Sequence, residues 1–520
     1  MRTRARRATR RVIASITAVV AASTFLAACG GSAGSAGSSQ AVIKWAVTSP
    51  IPAWDPVVSG ATGATQWLST VYSSLFTLDE QGTPQPALAQ GWEYNAAGDQ
   101  ITITLKPDLT FQDGSPIDAE AVAYNIDRIK SQDNSALKGS YNNIESATVV
   151  DPLTVRLDLA QTDYQVPLLL SNRAGLLASK KAAETDVKLL NSKAPVGAGP
   201  FKVVEFVPES HIYLEKWDGY WDAKDIHVDR IELQLGIDPT SVVAGLQSGV
   251  YNFASNFGNA DIERARKAGF DVVTDTKAAW VSFFLSLNLN QAPFDDPAVV
   301  EAVQYAIDRD EFVKKLTFGT GEPAEQPFPS THKAYSTELE GRYAYDPAKA
   351  RQILADAGYQ DGDIRFDLVG QKGADEGKAE ILQQQLAAVG ITTEINIPEQ
   401  SSYIKSYYGK ELPFAFYGYV GRDSPVQALT EHFDAGGIAN LSSPQTSPEF
   451  QAALAKVRST PIDAPDYEAN LKAATKAGYE HGSTISLYSS PQAYVKDPAI
   501  SDLRKIDGVL SWKGVTIGDQ

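Results

Sequence analysis

Cys29 is the only thiol in 520 residues, and it stands inside the stretch FLAACGGSAGSAGSS. One cysteine cannot form an internal disulfide, and it cannot supply the thiolates of a structural zinc or iron–sulfur site. The five histidines, His211, His227, His332, His432 and His481, are scattered, with no pair at a spacing that suits metal ligation. There is no H-E-x-x-H and no G-x-G-x-x-G, and beyond the Gly/Ser-rich stretch there is no G-x-S-x-G elbow. GQKGADEGK (370–378) has the wrong spacing for a phosphate-cradling G-x-x-x-x-G-K and reads as a polar surface loop. The adjacent carboxylates Asp295 and Asp296 precede a proline and read as a helix start, not as an acid–base pair. No catalytic residue, metal ligand or cofactor is expected.

What remains is the chemistry of Cys29 itself. Six arginines in MRTRARRATRR precede the apolar run VIASITAVVAASTFLAA, the charged and apolar regions of a secretory signal. The tetrad Leu26-Ala27-Ala28-Cys29 resembles the processing site of bacterial lipoproteins, in which the cysteine is acylated and becomes the first residue of the mature chain. On that resemblance residues 1–28 are a lipoprotein signal peptide, Cys29 carries the lipid, and 29–40 is a flexible Gly/Ser tether. The body would then sit on the outer face of a membrane, anchored through the lipid.

The rest of the chain must supply a function without catalytic machinery. With 43% apolar and 21% charged residues it is an ordinary globular sequence rather than a disordered or fibrous one. Its length calls for more than one core. A net charge of −17 argues against general nucleic-acid binding. After the first thirty residues nothing is long and apolar enough to span a bilayer.

The elements alternate between α and β. QITITLK and RIELQL have the period-two pattern of strands, with Ile101, Ile103 and Leu105, and Ile231, Leu233 and Leu235, on one face. Asp238-Pro239, Asp296-Pro297 and Asp346-Pro347 each pair an N-cap with proline at the first helical position. The first of these helices ends at Gly249 and the third at Gly358; the second is expected to run on through Ile307 to Val313. Another helix runs to Gly390 and feeds the alternating strand ITTEINI. Such alternation predicts α/β lobes with helices covering sheets.

Five stretches, in order, carry a resemblance. They are VYSSLFTLDEQGTPQPALAQGWEYNAAGDQITITLKPDLTFQDGSPIDAEAVAYNIDRI (71–129), APVGAGPFKVVEF (194–206), DPTSVVAGLQSGVYNFA (238–254), NLNQAPFDDPAVVEAVQYAIDRDEFV (288–313) and YDPAKARQILADAGYQDG (345–362). Together they resemble the large solute-binding proteins of ABC importers, the peptide/oligopeptide/nickel-type family 5, over roughly 45–500. The resemblance implies an α/β, two-lobed, periplasmic-binding-protein-like (type II) clamp with an extra domain inserted in lobe one. It divides the chain into lobe I in three parts (41–72, 196–280 and 486–520), an inserted domain (73–195) and lobe II (281–485).

It further implies a non-enzymatic protein that captures a peptide or similar small polar solute and delivers it to a permease and its ATPase, acting as a monomer without nucleic acid. By the same resemblance the ligand lies against Ser59, Gly60, Ala61 and Thr62; against Trp280 and Phe284 of WVSFFLSLN; against Tyr403; and against Tyr419, Val420, Gly421, Arg422 and Asp423 of FYGYVGRDSP. Peptide binders of the family hold the ligand's α-amino group with an aspartate at the position of Arg422. An arginine there favours a carboxylate or other anion, which guanidinium can pair bidentately, unless Asp423 takes the role. Sugars, opines and siderophore-like chelates stay open beside peptides. An envelope hydrolase on the same scaffold and a sensor lipoprotein without a transporter are the alternative classes.

Overall fold

The computed structural model describes residues 40–48, 51, 53–59, 64–255, 258–274, 280–420, 424–442, 446–506 and 509–518. Cys29 and the signal and tether sequences lie outside these.

Three separate sheets organise the chain. The first has seven strands, in the order Asp271–Thr274, Ala493–Lys496, Phe253–Ser255, Val42–Val47, Arg230–Leu235, His211–Lys216 and Phe201–Val207. Its central strand, VIKWAV, pairs in parallel with Arg230–Leu235 on one side and Phe253–Ser255 on the other. Trp45 fixes the centre of this lobe: its ring packs edge-on to Phe253 at 5.0 Å, and its Nε1 donates to Ser255 Oγ at 2.8 Å.

The second sheet belongs to the inserted segment. Ala89–Tyr94, Gln100–Leu105, Thr154–Leu159 and Ile144–Asp151, in that order, form an antiparallel sheet. Ile101, Ile103 and Leu105 turn inward from Gln100–Leu105, as their alternation predicts, and meet Val122 and Ile126 of the helix Ala119–Ser131 in a core of their own.

The third sheet is that of the second lobe, with Glu322–Pro323, Thr484–Pro491, Trp280–Leu287 and Phe414–Val420 in that order. Leu285, Val299, Val303, Leu382 and Phe414 lie in its core.

The first and third sheets are joined at two places, and the pairing shows where. Asp271–Thr274 and Ala493–Lys496 are antiparallel neighbours in the first sheet, with Thr274 opposite Ala493. The chain segments that continue them, Trp280–Leu287 and Thr484–Pro491, are antiparallel neighbours in the third, with Trp280 opposite Pro491. The chain therefore passes from one sheet to the other after Thr274 and before Trp280, and again at Gln492. Sequence reading places the return near 486, which is inside the strand Thr484–Pro491. Strands that are neighbours in both sheets, carrying the chain twice between separately cored bodies, make a hinge.

The proline-led helix starts form as the sequence predicts. Asp238 accepts from Thr240 N, Asp296 from Ala298 N and Asp346 from Lys349 N. The helix expected to run from Pro297 past Ile307 to Val313 is instead two, Pro297–Ala306 and Arg309–Leu316. Ile307 is extended (φ −93°, ψ 114°), and Asp308 caps the second helix by accepting from Glu311 N. The apolar face continues across the break, which is why periodicity alone does not reveal it.

Candidate ligand-binding cleft

The first-lobe approach to the cleft is the segment Ala53–Ser59. The fully buried carboxylate of Asp55 accepts from Val57 N at 3.1 Å and pairs with the buried Arg128 guanidinium on the inserted domain's helix Ala119–Ser131. Asp55 N donates to Asn191 Oδ1 at 3.0 Å, and Trp54 N donates to Asn191 O at 3.2 Å. Burial pushes the Asp55 carboxyl up while the Arg128 charge pulls it down. Ser59 is fully buried, and its carbonyl accepts from Nη1 of the buried Arg173 at 3.1 Å. Arg128, Arg173 and Asn191 thus tether this segment. Gly60, Ala61 and Thr62 lie outside the described residues.

In the second lobe, Phe414–Val420 leads to 421–423, and the helix Pro425–Phe433 follows, capped by Ser424 Oγ accepting from Gln427 N. Rings hold this region. Phe284 and Tyr419 are both buried and face His432, with centroid distances of 4.8 and 4.5 Å. Tyr407 stacks on Tyr417 at 4.4 Å, nearly parallel, and its hydroxyl meets Ser286 Oγ at 3.0 Å. Tyr403 Oη donates to the Phe416 carbonyl, and burial raises its pKa. Three residues that the resemblance puts against ligand, Phe284, Tyr403 and Tyr419, therefore pack within the second lobe, because each ring is enclosed by its neighbours. Trp280 opens its strand opposite Pro491, and Val420 ends its strand opposite Val281; the side chains of both lie outside what the structure describes. Gly421, Arg422 and Asp423 lie outside the described residues.

A seam joins the inserted domain to the second lobe. Tyr467 Oη donates to Gln165 Oε1 at 2.5 Å, Tyr164 N donates to the Arg458 carbonyl at 2.9 Å, and Gln427 Nε2 donates to Ser140 Oγ at 2.9 Å. Tyr467 and Gln165 are buried there. So is Asp163, whose carboxyl burial raises against the opposing pull of Gln165 N and the Arg458 charge. Sequence reading does not find these residues, since partners some 300 positions apart leave no periodic trace.

Two bodies with separate cores, a paired-strand hinge between them and a seam across their faces define a solute-binding clamp. Residues 83–441 match the family described as "Bacterial extracellular solute-binding proteins, family 5 Middle". Among curated relatives, the glutathione-binding protein GsiB of Salmonella paratyphi A is 31% identical over 371 residues, spanning 70% of this chain and 71% of the relative. The binding protein DppA of Helicobacter pylori in complex with the peptide STSA shares the fold, with a TM-score of 0.78, 21% identity, and coverage of 92% of this chain and 98% of the other. NikZ of Campylobacter jejuni in complex with Ni(L-His) has a TM-score of 0.74 at 20% identity, covering 90% and 96%. The chain belongs to family 5 of the bacterial extracellular solute-binding proteins. Among the described residues no helix is long and apolar enough to cross a membrane, and no group of three or more His, Cys, Asp or Glu side chains is placed to hold a metal ion.

Proposed function

We propose that this protein is the lipid-anchored capture component of an ABC importer, taking up a short peptide or peptide-like solute and passing it on chemically unchanged. The observation that carries the reading is the hinge between two independently cored lobes, because a clamp can use ligand contacts to both lobes to favour its closed state. The peptide class is supported by the GsiB and DppA relatives, named for glutathione and crystallised with a peptide. Ser59–Thr62 from the first lobe and Trp280 with Val420–Asp423 from the second would grip the ligand, and Arg422 would pair with its carboxylate. Acylation at Cys29 and the Gly/Ser tether would keep the body beside its permease, whose ATPase supplies the energy.

Native mass spectrometry of the purified protein tests the reading. A noncovalent peptide-sized mass, released intact on denaturation, is expected. Turnover of that molecule on incubation would contradict it and favour the hydrolase alternative. Replacing Arg422 by alanine is expected to weaken an anionic ligand by about 1–3 kcal/mol. Cys29→Ser is expected to leave an unprocessed, unacylated precursor, and normal acylated processing of that variant would contradict the anchor.

A further inference from the structure

A cavity of about 370 Å³ adjoins the core of the first sheet, lined from four stretches, 65–87, 171–176, 200–226 and 506–513. Among the described residues, none of its lining comes from the third sheet, from that sheet's core or from the approach Ala53–Ser59. Folded interiors rarely leave a void much larger than a water molecule, whereas this volume falls in the range of small-molecule sites. Tyr72, Tyr220, Trp221 and Trp512 bring rings to the wall. Trp512 is fixed from behind by Phe201 at 5.6 Å and Trp45 at 6.1 Å, so its position does not depend on an occupant.

Between the rings lie neutral hydroxyls, those of Ser69, Ser73, Ser74 and Ser171. Ser73 and Ser171 are more than nine-tenths buried. Each of the four already gives its proton to a main-chain carbonyl: Ser69 to Gln66 at 3.4 Å, Ser73 to Ala198 at 3.0 Å, Ser74 to Phe76 at 2.5 Å and Ser171 to Pro167 at 2.6 Å. A hydroxyl whose proton is engaged keeps lone pairs and can only accept. This serine wall therefore calls for donors from an occupant. The charges nearby cancel. Asp222 and Lys513 are the charged residues of the described wall, 2.7 Å apart. Behind them Asp225 lies 2.9 Å from Lys513, and Lys106 rests 3.8 Å over the Trp221 ring within the field of Asp222. Two carboxylates balance two ammonium groups, which leaves no unmatched charge to hold an ion.

We propose that this cavity is a second binding site, for a neutral monosaccharide. Such a ligand is uncharged, rich in hydroxyl donors and flat on its C–H face. That face packs on the fixed Trp512 ring while the hydroxyls donate to the serine oxygens. The site lies apart from the clamp and fills without hinge closure.

The test uses the purified protein with fluorotryptophan incorporated. The Trp221 and Trp512 fluorine resonances are assigned by Trp221→Phe and Trp512→Phe. The sugar probes are methyl β-glucoside and methyl β-galactoside. Two controls accompany them: cyclohexylmethanol, which keeps a six-membered ring but carries one hydroxyl, and methyl β-glucuronide, which adds a carboxylate. Saturable shifts of both resonances are expected with at least one of the two neutral sugars, at a Kd of about 1 mM or tighter. Cyclohexylmethanol should bind roughly ten-fold more weakly, because the serine oxygens lose their donors. The glucuronide should be weaker by roughly ten-fold or more, because its charge finds no free partner. Ser69→Phe, which fills the cavity from the helix Thr65–Val71, should abolish the shifts. Absence of saturable shifts with both neutral sugars would overturn the proposal. So would cyclohexylmethanol or the glucuronide binding as tightly as the better sugar, or a folded Ser69→Phe protein that still shows the shifts.

Discussion

The segment that leads to Ser59 in the first lobe is fastened by charge and backbone hydrogen bonds. Asp55, Arg128, Arg173 and Asn191 do the fastening. The strand that leads to residue 421 in the second lobe is fastened by ring packing: Phe284 and Tyr419 lie tilted against His432, Phe284 also meets Tyr417, and Tyr417 stacks on Tyr407. The two fastenings fail differently. A buried ion pair is brittle, because removing one partner strands the other charge in a poor dielectric. Packed rings lose stability in proportion to the volume removed, and they tolerate shape-conserving replacement. The contrast also explains the inserted domain's place in this chain. Its helix Ala119–Ser131 supplies Arg128, the countercharge to Asp55, and Ser140, Tyr164 and Gln165 carry the seam to the second lobe.

Arg128→Ala is expected to show the largest effect, a loss of about 3–5 kcal/mol in unfolding free energy by denaturant titration. Replacing Asp55 and Arg128 together by leucine should recover most of it. If the double variant is no better than the single, the brittleness of this wall does not come from an unpaired charge. Phe284→Ala should lose about 3–4 kcal/mol and Phe284→Leu much less, and a Leu variant as damaging as Ala would remove the contrast between the walls.

Acid sharpens the same comparison. His332 in the second lobe stacks on Phe328 at 4.6 Å, and burial pushes its pKa down from 6.5 to about 3. As pH falls below the ordinary value, the unfolded chain takes up a proton that the native imidazole refuses. Stability contributed by the neutral ring is therefore present above 6.5 and lost progressively towards about 3. The slope for this one group is about 1.4 kcal/mol per pH unit. His332→Leu should flatten the slope by that amount, and an unchanged slope would mean that the ring titrates normally. The smallest effect is at the seam. Tyr467→Phe leaves Gln165 Oε1 without its donor only when the lobes meet. It should weaken binding of a peptide ligand by about 1 kcal/mol in calorimetry while leaving the unfolding midpoint nearly unchanged; a large drop in midpoint with unchanged affinity would mean that the hydroxyl holds the fold and not the closed seam.

Local rules carry far in this chain. Asp-Pro starts, glycine stops and period-two strands such as QITITLK are short-range patterns, and the structure forms them where the residues call for them. The break at Ile307–Asp308 escapes the same rules because the apolar face runs through it and only the Asp308 cap separates the helices. The hinge crossing at Gln492 escapes because Thr484–Pro491 and Ala493–Lys496 read as one continuous strand until their partners in two sheets are known. Nothing near Asp55 or Tyr467 in sequence announces Arg128 or Gln165. Phe284, Tyr403 and Tyr419 illustrate the converse: an aromatic residue near a cleft serves equally well as packing, and only its neighbours decide.

Hinged closure on a ligand is tested most directly by small-angle X-ray scattering of the chain freed of any ligand and then loaded. A smaller radius of gyration on loading is predicted, reversed when the ligand is removed. Superimposable curves at saturating ligand, with binding verified in the same sample, would contradict the clamp.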